Sequence, residues 1–208
     1  MTGGASGSLA FAGQYLFVEV EPNLATPASD VQFKFTNTIP LQPNDTLSSR
    51  LPTLWFDTGS YANLFSSMSI TAQSSGVNLK MATTLTGHPF IPNSVHFSTD
   101  FQIERFPGAQ SETGINPGEY LVATAVLSNG KSFADVVNAM AVGIDPLTAA
   151  GGLRVAVLAQ HILGTQLYDD AAFITGSVVS VPEPESSALM LGGLGVLGWL
   201  AKRRRSVA

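Results

Sequence analysis

The run Val31-Gln32-Phe33-Lys34-Phe35-Thr36 sets an apolar side chain at every second position and a polar one between. Successive side chains of a β-strand point to opposite faces, so this pattern gives a strand one dry face and one wet face and gives a helix neither. The alternation returns over residues 95–106, VHFSTDFQIERF, with Val95, Phe97, Phe101 and Ile103 set against His96, Ser98, Asp100, Gln102 and Glu104. Both stretches predict half-buried strands. Weaker versions begin at Gln14 (QYLFVEV), Thr53 (TLWFD), Ser67 (SMSITAQ) and Val77 (VNLKMATTL), with Pro, Gly, Asn and Asp clusters between them. EYLVATAVL (119–127) and LRVAVLAQHIL (153–163) are apolar on both faces, as strands in the middle of a covered sheet should be. Pro117-Gly118, just ahead of the first of these, suits the central positions of a type II turn.

One segment has the other period. In SFADVVNAMA, Ser132 is a candidate N-cap with Asp135 three residues on, and Phe133, Val136, Val137 and Met140 recur at helical spacing. The fold class expected is all-β: a β-sandwich of short antiparallel strands with one short connecting α-helix. No internal repeat of solenoid or propeller period is visible.

Composition narrows the function classes. Charged residues make up only 12% of the 208-residue chain, which disfavours long salt-bridged helices. The net charge is -5, and Lys202, Arg203, Arg204 and Arg205 hold four of the ten basic residues, so the rest of the chain is distinctly acidic. Nucleic-acid binding by the main domain needs clustered Lys and Arg and is disfavoured. With no cysteine there is no disulfide, thiolate metal site or Cys nucleophile.

Composition changes abruptly after Val181. Residues 186–201 carry no charge, and Leu189, Leu191, Leu194, Leu197, Leu200 and Met190 make them strongly apolar. As a helix rising about 1.5 Å per residue, this stretch spans roughly 24 Å against a hydrocarbon core of about 30 Å. That is short for a permanent span, although Trp199 at the interface and snorkelling Lys202 and Arg203 extend its reach. The expectation is therefore an apolar transmembrane helix running from Ser186 to Ala201. Lys202, Arg203, Arg204 and Arg205 act as its topology signal, holding the basic end in the cytoplasm and the domain across the membrane. Pro182 and Pro184 fix φ and lack amide hydrogens, so Val181-Pro182-Glu183-Pro184 reads as extended backbone suited to a processing enzyme's cleft.

This order of Pro182-Glu183-Pro184, an uncharged Gly/Leu-rich segment and a terminal Lys-Arg-Arg-Arg cluster closely resembles the PEP-CTERM sorting signal of Gram-negative bacteria. The resemblance covers about the last 27 residues. The same tail also goes by the label "ice-binding protein C-terminal domain", which implies no ice binding by the rest of the chain. The resemblance implies export, transient retention at the inner membrane with the domain in the periplasm, and processing near Val181 to Pro184 by an exosortase. Release to the cell envelope or the extracellular space would follow. Bacteria with this system typically make exopolysaccharide. A looser resemblance to small β-sandwich domains of such proteins runs through GINPGE, SFADVVNAM and GLRVAVLAQHI, and carries no catalytic residue over.

The expected organisation is a remnant of a signal-peptide c-region at 1–12, a β-sandwich domain at 13–180 and the sorting tail at 181–208. Within the tail, the motif covers 181–185, the apolar helix 186–201 and the basic end 202–208. The first of these rests on Ala10-Phe11-Ala12 ahead of Gly13, which has the small-x-small form of a cleavage site, with the charged and hydrophobic parts of the signal placed upstream of Met1.

Other motifs yield little. GLGVLG, with Gly193, Gly195 and Gly198, matches a dinucleotide fingerprint, but no strand precedes it and too few residues follow. His88, His96 and His161 lack metal-ligand spacing. A hydrogen-bonded structural role suits His161, and a solvated position suits His96. Asp169-Asp170 lacks the ligand spacing of a calcium loop. No cofactor and no metal are expected. Trp55, Tyr61 and Tyr120 offer aromatic faces to a sugar, although Trp55 reads better as core. The leading expectation is a non-enzymatic exported protein with a structural or exopolysaccharide-associated role and an exosortase as transient partner. The alternatives are a secreted hydrolase whose carboxylates meet only in the fold, and a simple single-span membrane protein.

Overall fold

The computed structural model describes residues 16–26, 29–40, 49–86, 97–106, 113–142, 151–161 and 171–174. The chain divides into two compact units, Met1–Ser177 and Val178–Ala208, and everything described lies in the first. In chain order the elements are β1 (Leu16–Pro22), β2 (Asp30–Asn37), β3 (Arg50–Asp57), β4 (Phe65–Gln73), β5 (Leu79–Met81), β6 (Phe101–Arg105), β7 (Tyr120–Leu127), α1 (Phe133–Val142), β8 (Arg154–Gln160) and β9 (Ala171–Ile174). The strands form a four-stranded sheet, β1-β2-β7-β4, and a five-stranded sheet, β5-β6-β3-β8-β9, with every neighbouring pair antiparallel. The described chain is thus mostly β, with two antiparallel sheets and one short helix.

Alternation in β2 does what its sequence predicts. Val31, Phe33 and Phe35 are buried, while Gln32, Lys34 and Thr36 lie on the other face. The dry face meets the five-stranded sheet through rings: Phe33 and Phe35 pack edge-on against Phe56 of β3, with centroids 5.3 and 5.8 Å away. Phe65 of β4 joins Phe33 at 5.8 Å and Phe101 of β6 at 6.4 Å, closing the aromatic layer between the sheets. Edge-to-face contacts of this kind add about 0.5–1.5 kcal/mol per pair beyond burial.

Three strand expectations shrink. Within the described residues 97–106 the strand covers only Phe101–Arg105, because Asp100 turns its carboxylate onto Thr58, accepting from the backbone N–H at 2.7 Å and the hydroxyl at 2.6 Å. Gln102, expected on the wet face, is buried instead. Its Oε1 accepts from the Thr86 N–H at 2.8 Å and its Nε2 donates to the Thr86 hydroxyl at 2.7 Å, so the 82–86 segment closes over it. From Val77 onward only Leu79–Met81 is strand, and the strand of 153–163 ends at Gln160. β9 was not foreseen, since AAFI is too short to show alternation.

The helix starts as its sequence says. The Ser132 N–H and hydroxyl both donate to the Asp135 carboxylate, at 2.8 and 2.7 Å, and the Asp135 N–H reaches back to the Ser132 hydroxyl at 3.4 Å. Val136, Ala139 and Met140 form the buried face. These hydrogen bonds from Ser132 hold the Asp135 carboxyl below its ordinary range. A lowered carboxylate value stabilises the fold above the ordinary range and ceases to do so as pH falls through the lowered one. Ser132→Ala is expected to cost about 1 kcal/mol, measured by urea denaturation at neutral pH. Its deficit should narrow in acid, once Asp135 is protonated. A deficit independent of pH would show that the cap does not depend on the carboxylate.

Gly118 completes the expected turn. Its φ is 81°, a value that residues with a Cβ rarely adopt, and the Glu119 N–H donates to the Asn116 carbonyl at 2.9 Å across it.

The apolar helix expected at 186–201 lies outside the described residues. Among those described, no helix is long and apolar enough to cross a membrane.

Candidate functional site

The outer faces of the two sheets are unlike, and the difference begins in the sequence. In the five-stranded sheet, β8 reads RVAVLAQ, with no polar residue between Arg154 and Gln160, so its two faces are equally apolar. Val155 and Val157 point towards the aromatic layer, opposite Phe56 and Leu54 of β3. On the other face Ala156 and Leu158 join Trp55 and Phe97 in a second buried cluster. Trp55 is therefore core, as its sequence suggested.

A charged pair closes one end of that cluster. Asp57 and Arg154 face each other in the β3–β8 register, are both almost fully buried, and are joined by a hydrogen bond from Arg154 Nη2 to Asp57 Oδ2. The remaining acceptor capacity of Asp57 is occupied by backbone: Oδ1 accepts from the Gly59 N–H at 2.8 Å and Oδ2 from the Ser98 N–H at 3.2 Å. The Arg154 guanidinium also lies 5.5 Å from the centre of the Phe97 ring. Sequence reasoning passed over both residues. The available signal was an acidic residue closing the apolar run Leu54-Trp55-Phe56 and a basic one opening the apolar run 155–159.

A second polar cluster sits at the opposite end of the same two strands. Arg50 pairs with Gln160 in register, its Nε donates to Gln160 Oε1 at 3.1 Å, and its Nη2 lies 3.3 Å from Nε2 of His161. His161 is buried, with a φ of 55° that histidine tolerates better than most residues. Its contact with Arg50 is the hydrogen-bonded structural role expected of it.

Among the described residues, the outer face of the four-stranded sheet is partly open: Glu19, Tyr120, Ser67, Ser69 and Thr71 are exposed, Gln32, Lys34, Thr36 and Val122 half-buried, and Thr124 buried. Across this face run Glu19 of β1, Gln32, Lys34 and Thr36 of β2, Tyr120, Val122 and Thr124 of β7, and Ser67, Ser69 and Thr71 of β4, aligned by the strand registers. Lys34 donates to the Glu19 carboxylate at 2.7 Å, and this bond holds its ammonium above the ordinary lysine value. The hydroxyls of Thr71 and Thr124 are 2.8 Å apart. The result is a mixed polar surface in which hydroxyls of β2, β4 and β7 and the Gln32 amide lie beside the Glu19–Lys34 pair and Val122, with an exposed ring, Tyr120, at one end.

Of the aromatic residues singled out from sequence, Tyr120 is on this surface, Trp55 is buried on the far side of the other sheet, and Tyr61 is half-buried in the 3-10 turn Gly59–Tyr61. They do not form a shared platform. Among the described residues no group of three or more His, Asp or Glu is placed to hold a metal ion. His88, His96 and Asp169-Asp170 lie outside the described residues, as do Val181 to Pro184, Ser186 to Ala201 and Lys202 to Arg205.

No curated protein and no solved structure matches the chain. One family model does, over residues 180–205; its description names protein sorting and not ice binding. The stretch it covers takes in Pro182-Glu183-Pro184, the uncharged Gly/Leu segment and Lys202 to Arg205. The chain therefore carries a PEP-CTERM protein-sorting motif, which implies a protein exported through the cell envelope and targeted to an exosortase.

Proposed function

We propose that this is a non-enzymatic structural protein of the cell envelope or extracellular matrix. In this reading the tail is a temporary inner-membrane tether, with the domain in the periplasm until an exosortase cuts between Val181 and Pro184. The observation that carries it is the sorting motif at 180–205, placed directly behind a domain built of two sheets. The non-enzymatic part is supported by how the domain uses its carboxylates. Asp57 is held by Arg154, Asp100 by Thr58, Asp135 by Ser132, and Glu119 by the backbone and side chain of Asn116 at 2.9 Å each. The partly open face of the four-stranded sheet is the surface best suited to exopolysaccharide, because hydroxyl and amide groups can replace the water that a sugar loses and Tyr120 offers a ring to stack on.

The test is to express the full chain in a host with and without its exosortase and to weigh the C-terminus. A product ending near Val181 to Pro184 only when the enzyme is present is the expected result. An intact Lys202 to Arg205 end in both hosts rejects processing and leaves a simple single-span anchor. The surface assignment is checked by pull-down on the host exopolysaccharide. Tyr120→Ala should weaken retention, and retention no greater than that of an unrelated acidic protein removes the polysaccharide role.

A further inference from the structure

The connection from β7 to α1 carries Ser128-Asn129-Gly130-Lys131, closed as a turn by the Lys131 N–H donating to the Ser128 carbonyl at 3.0 Å. Its flanks are pinned. The Ser128 N–H donates to the Leu64 carbonyl at 3.0 Å, and the Ser132 N–H to the Asp135 carboxylate at 2.8 Å. Its apex is not pinned: among the described residues nothing hydrogen-bonds the Asn129 side chain or the Gly130 N–H. Both residues are exposed, and space at Gly130 is open, with nothing within 4 Å of where a Cβ would stand. Gly130 has a φ of 78°, so the apex has a backbone freedom that other residues lack.

We propose that Asn129 is a self-modification site, at which the backbone converts the side-chain amide to a carboxylate. The Gly130 nitrogen attacks Cγ of Asn129, a N–Cγ bond forms, and the Cγ–Nδ2 bond breaks. The proton lost from the Gly130 nitrogen leaves with Nδ2 as ammonia, and a five-membered imide remains. Water then adds to either imide carbonyl. One opening gives aspartate. The other gives isoaspartate, in which the main chain runs through the former side chain. No oxidant or reductant is involved.

Position decides the selectivity. Asn129 is the only asparagine in the chain followed by glycine. Asn63, Asn78 and Asn138 are also exposed, but they precede Leu64, Leu79 and Ala139, whose side chains crowd the attacking nitrogen. In Asn138 the attacking nitrogen also belongs to α1 and is engaged in its hydrogen bonding. Conversion places a new carboxylate shortly ahead of the Ser132 cap, at the end of α1 where a negative charge is favourable. The iso form also lengthens the link between β7 and α1 by one main-chain carbon.

The experiment incubates the purified full chain at mildly alkaline pH in water enriched in oxygen-18, then digests it and weighs the fragments. The expected result is loss of the Asn129 amide ahead of Asn63, Asn78 and Asn138, as two separable products that both carry the heavy oxygen. A more acidic species should grow on isoelectric focusing and be missing from Asn129→Gln. Gly130→Ala should slow the loss. Conversion no faster than at the three comparison sites would overturn the proposal, as would conversion giving aspartate without isoaspartate, because direct hydrolysis makes no iso product.

Discussion

Replacing Phe56 by alanine is expected to cost about 3–5 kcal/mol, the range for removing a buried aromatic side chain from a packed core. The ring is fully buried and takes edge contacts from Phe33 at 5.3 Å and Phe35 at 5.8 Å, so it is the point at which one sheet grips the other. Two ring contacts are lost along with the burial, and Leu54, Ile103 and Leu121, also fully buried, belong to the same rigid layers. With whole-domain stabilities of about 5–15 kcal/mol, this loss takes a large fraction of the total. At about 2–4 °C per kcal/mol for a chain of this size, the melting midpoint should fall by roughly 10 °C. Phe56→Leu keeps most of the apolar volume and should lose less than half as much. Thermal melts of the three proteins decide it. A Phe56→Ala midpoint within a degree or two of the parent would mean that the sheets are not held together at this ring.

The second large effect concerns Asp57 and Arg154. Removing one member of a buried ion pair typically costs about 3–5 kcal/mol, because the desolvated partner keeps its charge and loses its counter-charge. Asp57→Asn is the cleanest form of the test, since the amide oxygen can still accept from Gly59 while the negative charge is gone. Arg154→Met keeps an unbranched apolar stem of shorter reach while removing the positive charge that lies over Phe97. The double variant Asp57→Asn with Arg154→Met should be more stable than the two single losses added together, by about 1–3 kcal/mol. Apolar replacement of a whole buried pair is often close to neutral. Chemical denaturation of the four proteins gives the coupling directly. Strict additivity would mean that the pair is two independent residues that happen to touch.

Much of the architecture was legible in the sequence, and the reasons are local. β2 repeats its alternation without interruption, so Val31, Phe33 and Phe35 declare the inner face unaided. β8 lacks alternation because both of its faces are covered. Ser132 and Asp135 mark the start of α1 by the chemistry of their own side chains. The illegible parts depend on partners far along the chain. Nothing within residues 95–106 announces that Asp100 will be taken by Thr58, or that Gln102 will be covered by Thr86, and so the strand was read too long. Arg154 and Arg50 look like surface charges until the register sets Asp57 and Gln160 opposite them. The candidate site divides in the same way. The sorting tail is written in order and spacing, both properties of a linear string. The partly open face exists only once β1, β2, β7 and β4 lie side by side, and no stretch of sequence contains it.

The strand order also sets a timetable. β2 pairs with β7 and β3 with β8, so each sheet joins an early strand to a late one, while β1 is held in place by β2. In a chain exported N-terminus first, the early strands wait outside without their partners, and loop-closure entropy must be overcome before any long-range pairing can reward it. β9 ends at Ile174 and the sorting motif begins at 180. In the proposed reading, β9 and the sorting motif therefore emerge almost together, and the five-stranded sheet gains its β8–β9 pairing only as the motif arrives.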